Sequence, residues 1–160
     1  MKLILCRHGE AQDFSETGRD KDRQLSSKGL EDIQKIGKFI SKSPLTVNYI
    51  YYSPYVRTTQ TCNIIQESIS KNVLSIPTNA LLPDSDYMDI LPELKQYTNS
   101  ETILIIGHNP NISFLGAKLI RDESLYYNLI FLPGTTLVIN VPKENFSRGQ
   151  IIWMVSPNLI

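Results

Sequence analysis

Apolar positions along this chain follow two rhythms. "LILC" at 3–6, "VNYIYY" at 47–52, "VLSI" at 73–76 and "ETILII" at 101–106 are short, nearly continuous apolar runs closed by polar or glycine-containing turns. Such runs predict strands buried on both faces of a sheet. Between the first two runs, "LSSKGLEDIQKIGKFISKSP" sets Leu30, Ile33, Ile36, Gly37 and Ile40 at helical spacing, with Ser26 as N-cap and Pro44 just beyond the end.

After the second run, Ser53-Pro54 reads as a helix start, serine capping and proline in the first helical position. The helix that follows runs toward residue 70 with Thr58, Thr61, Cys62 and Ile65 inward. Pro83 to Asp86 is expected to turn, Asp86 to cap a helix through Tyr97, and Asn111 to cap another through Arg121. "TTLVINV" and "QIIWMVS" have no helix between them and predict an antiparallel pair joined near Asn145 to Gly149.

Strands alternating with helices imply an α/β fold: a three-layer α/β/α arrangement with a mostly parallel central sheet and an antiparallel C-terminal strand pair. The pattern shows no repeat or linker, so residues 1–160 are expected to form a single domain. In such a sheet, loops beyond the C-terminal strand ends converge on one edge. Arg7-His8 follows the first strand, Ser53 to Arg57 the second, and Gly107-His108 the fourth. Topology thus predicts a cluster of Arg7, His8, Arg57 and His108.

Composition narrows the partners. With 41% hydrophobic residues the chain can build an ordinary core, and sixteen Lys plus Arg balance sixteen Asp plus Glu. Neutrality gives no global pull toward nucleic acid or an anionic membrane, so any anion site must be local. Cys6 and Cys62 read as small buried hydrophobes in a reducing compartment. Arg7 interrupts the first apolar run too early for a signal peptide, and no stretch is long enough to span a bilayer. A cytoplasmic, monomeric protein is expected, without membrane or nucleic-acid partner.

The two histidines are the only ones in the chain, and each abuts a glycine at a strand end. Two arginines and two imidazoles suit a phosphoryl group: guanidinium forks bind its oxygens, one neutral imidazole can attack phosphorus, and the other can stabilise the developing charge. Arg7 beside His8 should keep that imidazole neutral and nucleophilic. Helix starts near Pro54 and Asn111 would add backbone donors. Gly9 is expected to permit a sharp turn, and Glu10 either to orient an imidazole or to pair with an arginine.

"RHGEA" at 7–11, "SPYVRTTQT" at 53–61 and "IGHNP" at 106–110 resemble the three signatures of the histidine phosphatase superfamily, also called phosphoglycerate mutase-like. "DRQLSSKG" at 22–29 and the closing "WMVSPNL" are similar to its SixA branch, the phosphohistidine phosphatases. The resemblance implies that His8 is transiently phosphorylated, that Arg7, Arg57 and His108 complete the phosphate pocket, that Arg23 stands near the entrance, and that no metal or cofactor is needed. It implies a phosphorylated protein as partner, such as a histidine phosphotransfer or phosphotransferase-system protein.

Superfamily members that carry a glutamate on an inserted segment use it to protonate the leaving oxygen, whereas here the region is only "LLPDSDYMD". Asp84 is the candidate acid there, with a plain turn residue as its competing role. A phosphohistidine substrate, whose imidazole leaves readily, fits a chain without a dedicated acid. The alternatives are a phosphatase of small phosphate esters or sugar phosphates using the same pocket, and a non-catalytic phosphate-recognition module. A cysteine phosphatase is excluded because Gln12 and Ser68 stand where its arginine is required.

Overall fold

The computed structural model describes residues 1–160, the side chain of Glu123 excepted. Its six strands are β1 (Lys2–Arg7), β2 (Tyr49–Tyr52), β3 (Leu74–Pro77), β4 (Thr102–Gly107), β5 (Thr136–Asn140) and β6 (Gln150–Val155). They form one sheet in the order β3-β2-β4-β1-β5-β6. The β2–β3, β2–β4 and β1–β4 pairs are parallel, while β5 runs antiparallel to both β1 and β6. Only β5 therefore runs against the others, and the C-terminal pair is antiparallel as the pattern predicts.

The helices are α1 (Ser27–Lys42), α2 (Val56–Ile69), α3 (Leu91–Leu94) and α4 (Asn111–Leu119). Alternate residues of the central strands face opposite layers, as the pleat requires. Ile4, Cys6, Leu104 and Ile106 pack with Ile33, Ile36 and Ile40 of α1 and Cys62 and Ile65 of α2. On the other face, Leu3, Leu5, Ile103 and Ile105 pack with Leu94 of α3 and Ile112, Leu115 and Leu119 of α4. Both cysteines are buried and unpaired, and burial pushes each thiol up to about 12. Among the described residues no helix is long and apolar enough to cross a membrane.

Three expected helix starts differ. Ser26 does cap α1, accepting from the Gly29 amide at 3.0 Å. Ser53, however, does not cap α2, which begins at Val56 with Tyr55 in the N-cap position. Asn111 is itself the first residue of α4, and its side-chain amide donates to the carbonyls of Leu82, Pro83 and Ser85. It thereby ties the 82–85 turn to the helix start instead of capping. The helix expected from Asp86 to Tyr97 shrinks to Leu91–Leu94. Asp86 Oδ1 closes a local turn by accepting from the Met88 amide, and Pro92, lacking an N–H, can occupy only the opening turn of a helix.

Candidate active site

Strand register assembles the site. Arg7 stands opposite Gly107, and Tyr52 opposite Ile106. The next residues continue the pairing, His8 N–H donating to Gly107 O at 3.1 Å and Ser53 N–H to Ile106 O at 3.2 Å. Residues 8, 53 and 108 thus emerge side by side at one sheet edge, where the Gly134 N–H also reaches the carbonyls of Arg7 and His8. The imidazoles of His8 and His108 lie edge to face, with centroids 5.0 Å apart.

Gly9 has a purpose other than the expected turn. A Cβ there would lie 2.7 Å from Ile33 Cγ1, and one on Gly29 only 2.1 Å from Glu10 O. The two glycines let the start of α1 press against the segment that carries His8. The Gly9 N–H donates to Thr61 Oγ1 at 3.2 Å, fastening the same segment to α2. Glu10 takes neither role expected of it, because its carboxylate accepts from Ser26 Oγ at 2.7 Å and so supports the α1 cap.

The hydrogen bonds of His8 define its ring. Nδ1 lies 2.7 Å from Gly9 O, and a carbonyl can only accept, so Nδ1 carries the proton and Nε2 the free electron pair. Arg57 Nε donates to that pair at 3.2 Å. Burial, helped by the charges of Arg57, Arg7 and Arg23 and opposed by the Gly9 bond, lowers His8 to about 4. Burial and the neighbouring His8 and Arg57 lower His108 to about 3. Both rings are neutral near pH 7; for His8 this is the expected state, although burial rather than the adjacent Arg7 is its main cause.

His108 Nε2 lies 2.9 Å from Ser53 Oγ, the role that replaces the expected cap. With the serine hydroxyl donating, the ring proton sits on Nδ1. Among the described residues that atom and Arg7 Nε are buried with no hydrogen-bond partner, a costly state for donors. Arg7 Nη1 is held by Phe131 O at 2.7 Å, and Asn109 Nδ2 shares that carbonyl at 3.1 Å. The Tyr55 ring packs 5.0 Å from the Arg57 guanidinium carbon and 5.3 Å from the His108 ring.

The structure therefore brings together Arg7, His8, Arg57 and His108. Arg23 stands one residue further out, donating to Gln12 O and to Asp20 Oδ1 at 3.0 Å, and Asp20 in turn accepts from Arg57. Asp84 is exposed in the 82–85 turn, and no contact joins it to the cluster. Ser53 is expected from the sequence only as a helix cap, and Tyr55, Asp20 and Asn109 are not singled out there. Ser53, Tyr55 and Asn109 lie inside the quoted motifs, whereas Asp20 sits in a charged loop with no periodicity to mark it. Among the described residues, no three His, Cys, Asp or Glu side chains are grouped to hold a metal ion.

The ring pKa values carry a stability consequence. Both imidazoles titrate near 6.5 in the unfolded chain but far lower when folded, so below 6.5 the unfolded state binds more protons. The stability these two neutral rings contribute is fully present above pH 6.5 and is lost as the pH drops toward 4. His8 alone accounts for ~3 kcal/mol of that loss. Denaturant titrations of wild type and His8→Asn between pH 7 and 4 should give a distinctly shallower slope for the variant; equal slopes would contradict the buried neutral ring.

The fold is that of known phosphatases. The chain superposes on the protein histidine phosphatase SixA complexed with tungstate with a TM-score of 0.88 at 21% identity, covering 100% of both chains. A SixA protein from Agrobacterium tumefaciens gives a TM-score of 0.83 at 19% identity over 98% of this chain and 97% of its own. The alpha-ribazole phosphatase from Shigella flexneri gives 0.73 at 18% identity over 98% and 97%. The family model for the histidine phosphatase superfamily (branch 1) matches residues 3–90 of the 160, the stretch that carries Arg7, His8 and Arg57. By that match the chain belongs to the histidine phosphatase superfamily.

Proposed function

We propose that this protein is a metal-independent phosphohistidine phosphatase acting on a phosphorylated protein, with His8 as the covalent nucleophile. The observation that carries the reading is the hydrogen-bond pattern of His8, whose protonated Nδ1 is fixed by Gly9 O while Nε2 keeps its electron pair toward the cluster. Nε2 attacks phosphorus in line, the Nε2–P bond forms, and the bond to the substrate imidazole breaks, that ring leaving with a proton from solvent. Water then attacks phosphorus, the Nε2–P bond breaks, and inorganic phosphate and free His8 result. Arg7 Nε, His108 Nδ1 and the Arg57 fork stabilise the charge on the equatorial oxygens, the task that a metal ion performs in other phosphatases.

Two features support a protein-borne phosphoimidazole. The carboxylates are not placed as acids, since Glu10 is engaged by Ser26, Asp84 is exposed outside the cluster, and Asp20 is paired with Arg23 and Arg57, which hold it ionised. A phosphoimidazole needs less leaving-group protonation than an alkyl phosphate does. The likeness of the fold to a protein histidine phosphatase supports the same reading, while its likeness to an alpha-ribazole phosphatase favours small phosphate esters as the second.

The test is kcat/KM for a phosphohistidine domain of the phosphotransfer kind against that for small alkyl phosphates, both with EDTA present. The first should exceed the second by at least ~100-fold, about 2.7 kcal/mol of differential transition-state binding. Comparable values would favour the ester reading and make Asp84→Asn the next variant to assay.

A further inference from the structure

We infer that Asp20 is a built-in competitor for the phosphoryl site, an internal carboxylate that holds the Arg57 fork in the free protein and returns to it as phosphate departs. The inference rests on the phosphatase reading of the pocket and adds a residue to it. Nε and Nη2 of a guanidinium project their N–H bonds along one edge, the edge that grips two oxygens of a carboxylate or phosphate. In Arg57 both are taken by internal acceptors: Nε by His8 Nε2 at 3.2 Å, and Nη2 by Asp20 Oδ2 at 3.0 Å. Asp20 Oδ2 therefore occupies, next to the nucleophilic atom, the position of a phosphoryl oxygen on this edge.

The surroundings suit exchange. The Arg57 side chain is 7% exposed but that of Asp20 is 57% exposed, so a displaced carboxylate is readily rehydrated. Arg57 keeps an anchor, because Nη1 donates to the backbone carbonyl of Asp20 at 2.8 Å. Asp20 keeps one too, since its other oxygen accepts from Arg23 Nη1 at 3.0 Å. A swing of one side chain thus opens the fork without dismantling the loop. Although its partial burial works the other way, hydrogen bonds from Arg23 and Arg57 hold the Asp20 carboxyl below its ordinary value, so the competitor is ionised at neutral pH.

Every oxyanion entering the pocket must displace Asp20 from Nη2, and product phosphate leaves against a waiting replacement. Asp20→Asn and Asp20→Ala, titrated with inorganic phosphate by calorimetry, should each bind it about tenfold more tightly than wild type. In steady state both should show stronger product inhibition and a lower kcat with a lower KM. In an Arg57→Lys background the Asp20 substitutions should leave phosphate affinity unchanged, because the shared edge is gone. If wild type binds phosphate and both variants bind it equally or more weakly, Asp20 is a support for Arg57 and the inference fails while the pocket stands. If phosphate binds none of these proteins, the pocket reading fails and the inference with it.

Discussion

His8→Ala is expected to abolish turnover together with the phosphoenzyme. In rapid-quench experiments with labelled substrate, wild type should yield an acid-labile, base-stable phosphoprotein, as a phosphoramidate bond requires, and the variant should carry no label. The loss should be essentially complete, because no second group can take over. His108, the other imidazole, has its Nε2 engaged by Ser53 Oγ, and both cysteines are buried with their thiols pushed up to about 12. The small size of alanine also avoids replacing one hydrogen-bonding ring by another in a cluster where Arg57 Nε donates to it. Label persisting in His8→Ala would move the nucleophile elsewhere and end the present assignment.

The second large effect is expected at Arg57. Lysine keeps the charge but is a point donor on a flexible stem, whereas Arg57 addresses His8 Nε2, Asp20 O and Asp20 Oδ2 with three differently directed nitrogens and stacks near Tyr55. An ammonium cannot hold two phosphoryl oxygens along one planar edge. Arg57→Lys should lower kcat by about a hundredfold, the usual cost of one lost transition-state donor. Binding of inorganic phosphate should weaken less than kcat falls, because charge survives in the ground state and geometry matters most in the transition state. A variant that retains most of the wild-type kcat would remove Arg57 from the charge-stabilising set.

The strands and their order of use were legible in the chain because continuous apolar runs such as "TILIIG" admit few other structures in a protein of this size. From them the convergence of Arg7, His8, Arg57 and His108 followed by topology alone. Errors arose where one side chain could satisfy two backbone or side-chain demands. Ser53-Pro54 has the composition of a helix start, yet the Ser53 hydroxyl meets the His108 ring and the helix begins later. Asn111 and Asp86 are capable caps, but tertiary partners or a local turn claim them first. Gly9 looked like a turn residue, whereas the requirement is the steric approach of α1, a contact twenty residues away in sequence. Asp20 was invisible because its meaning depends wholly on Arg57, which approaches from another element.

The placement of His8, Ser53 and His108 one position past their strands also says when the site comes into being. His8, Ser53 and His108 are distant in sequence, and only the β1–β4 and β2–β4 ladders, with the bonds from His8 to Gly107 and Ser53 to Ile106 that extend them, set them in line. These pairings are non-local, and non-local pairings are slow to form because their loops cost entropy before their contacts repay it. A nascent or collapsed chain therefore holds the right residues with no means of presenting them together. Catalytic competence and completion of the central sheet become one cooperative event, so every active molecule is also a molecule whose central strand β4 has found both neighbours.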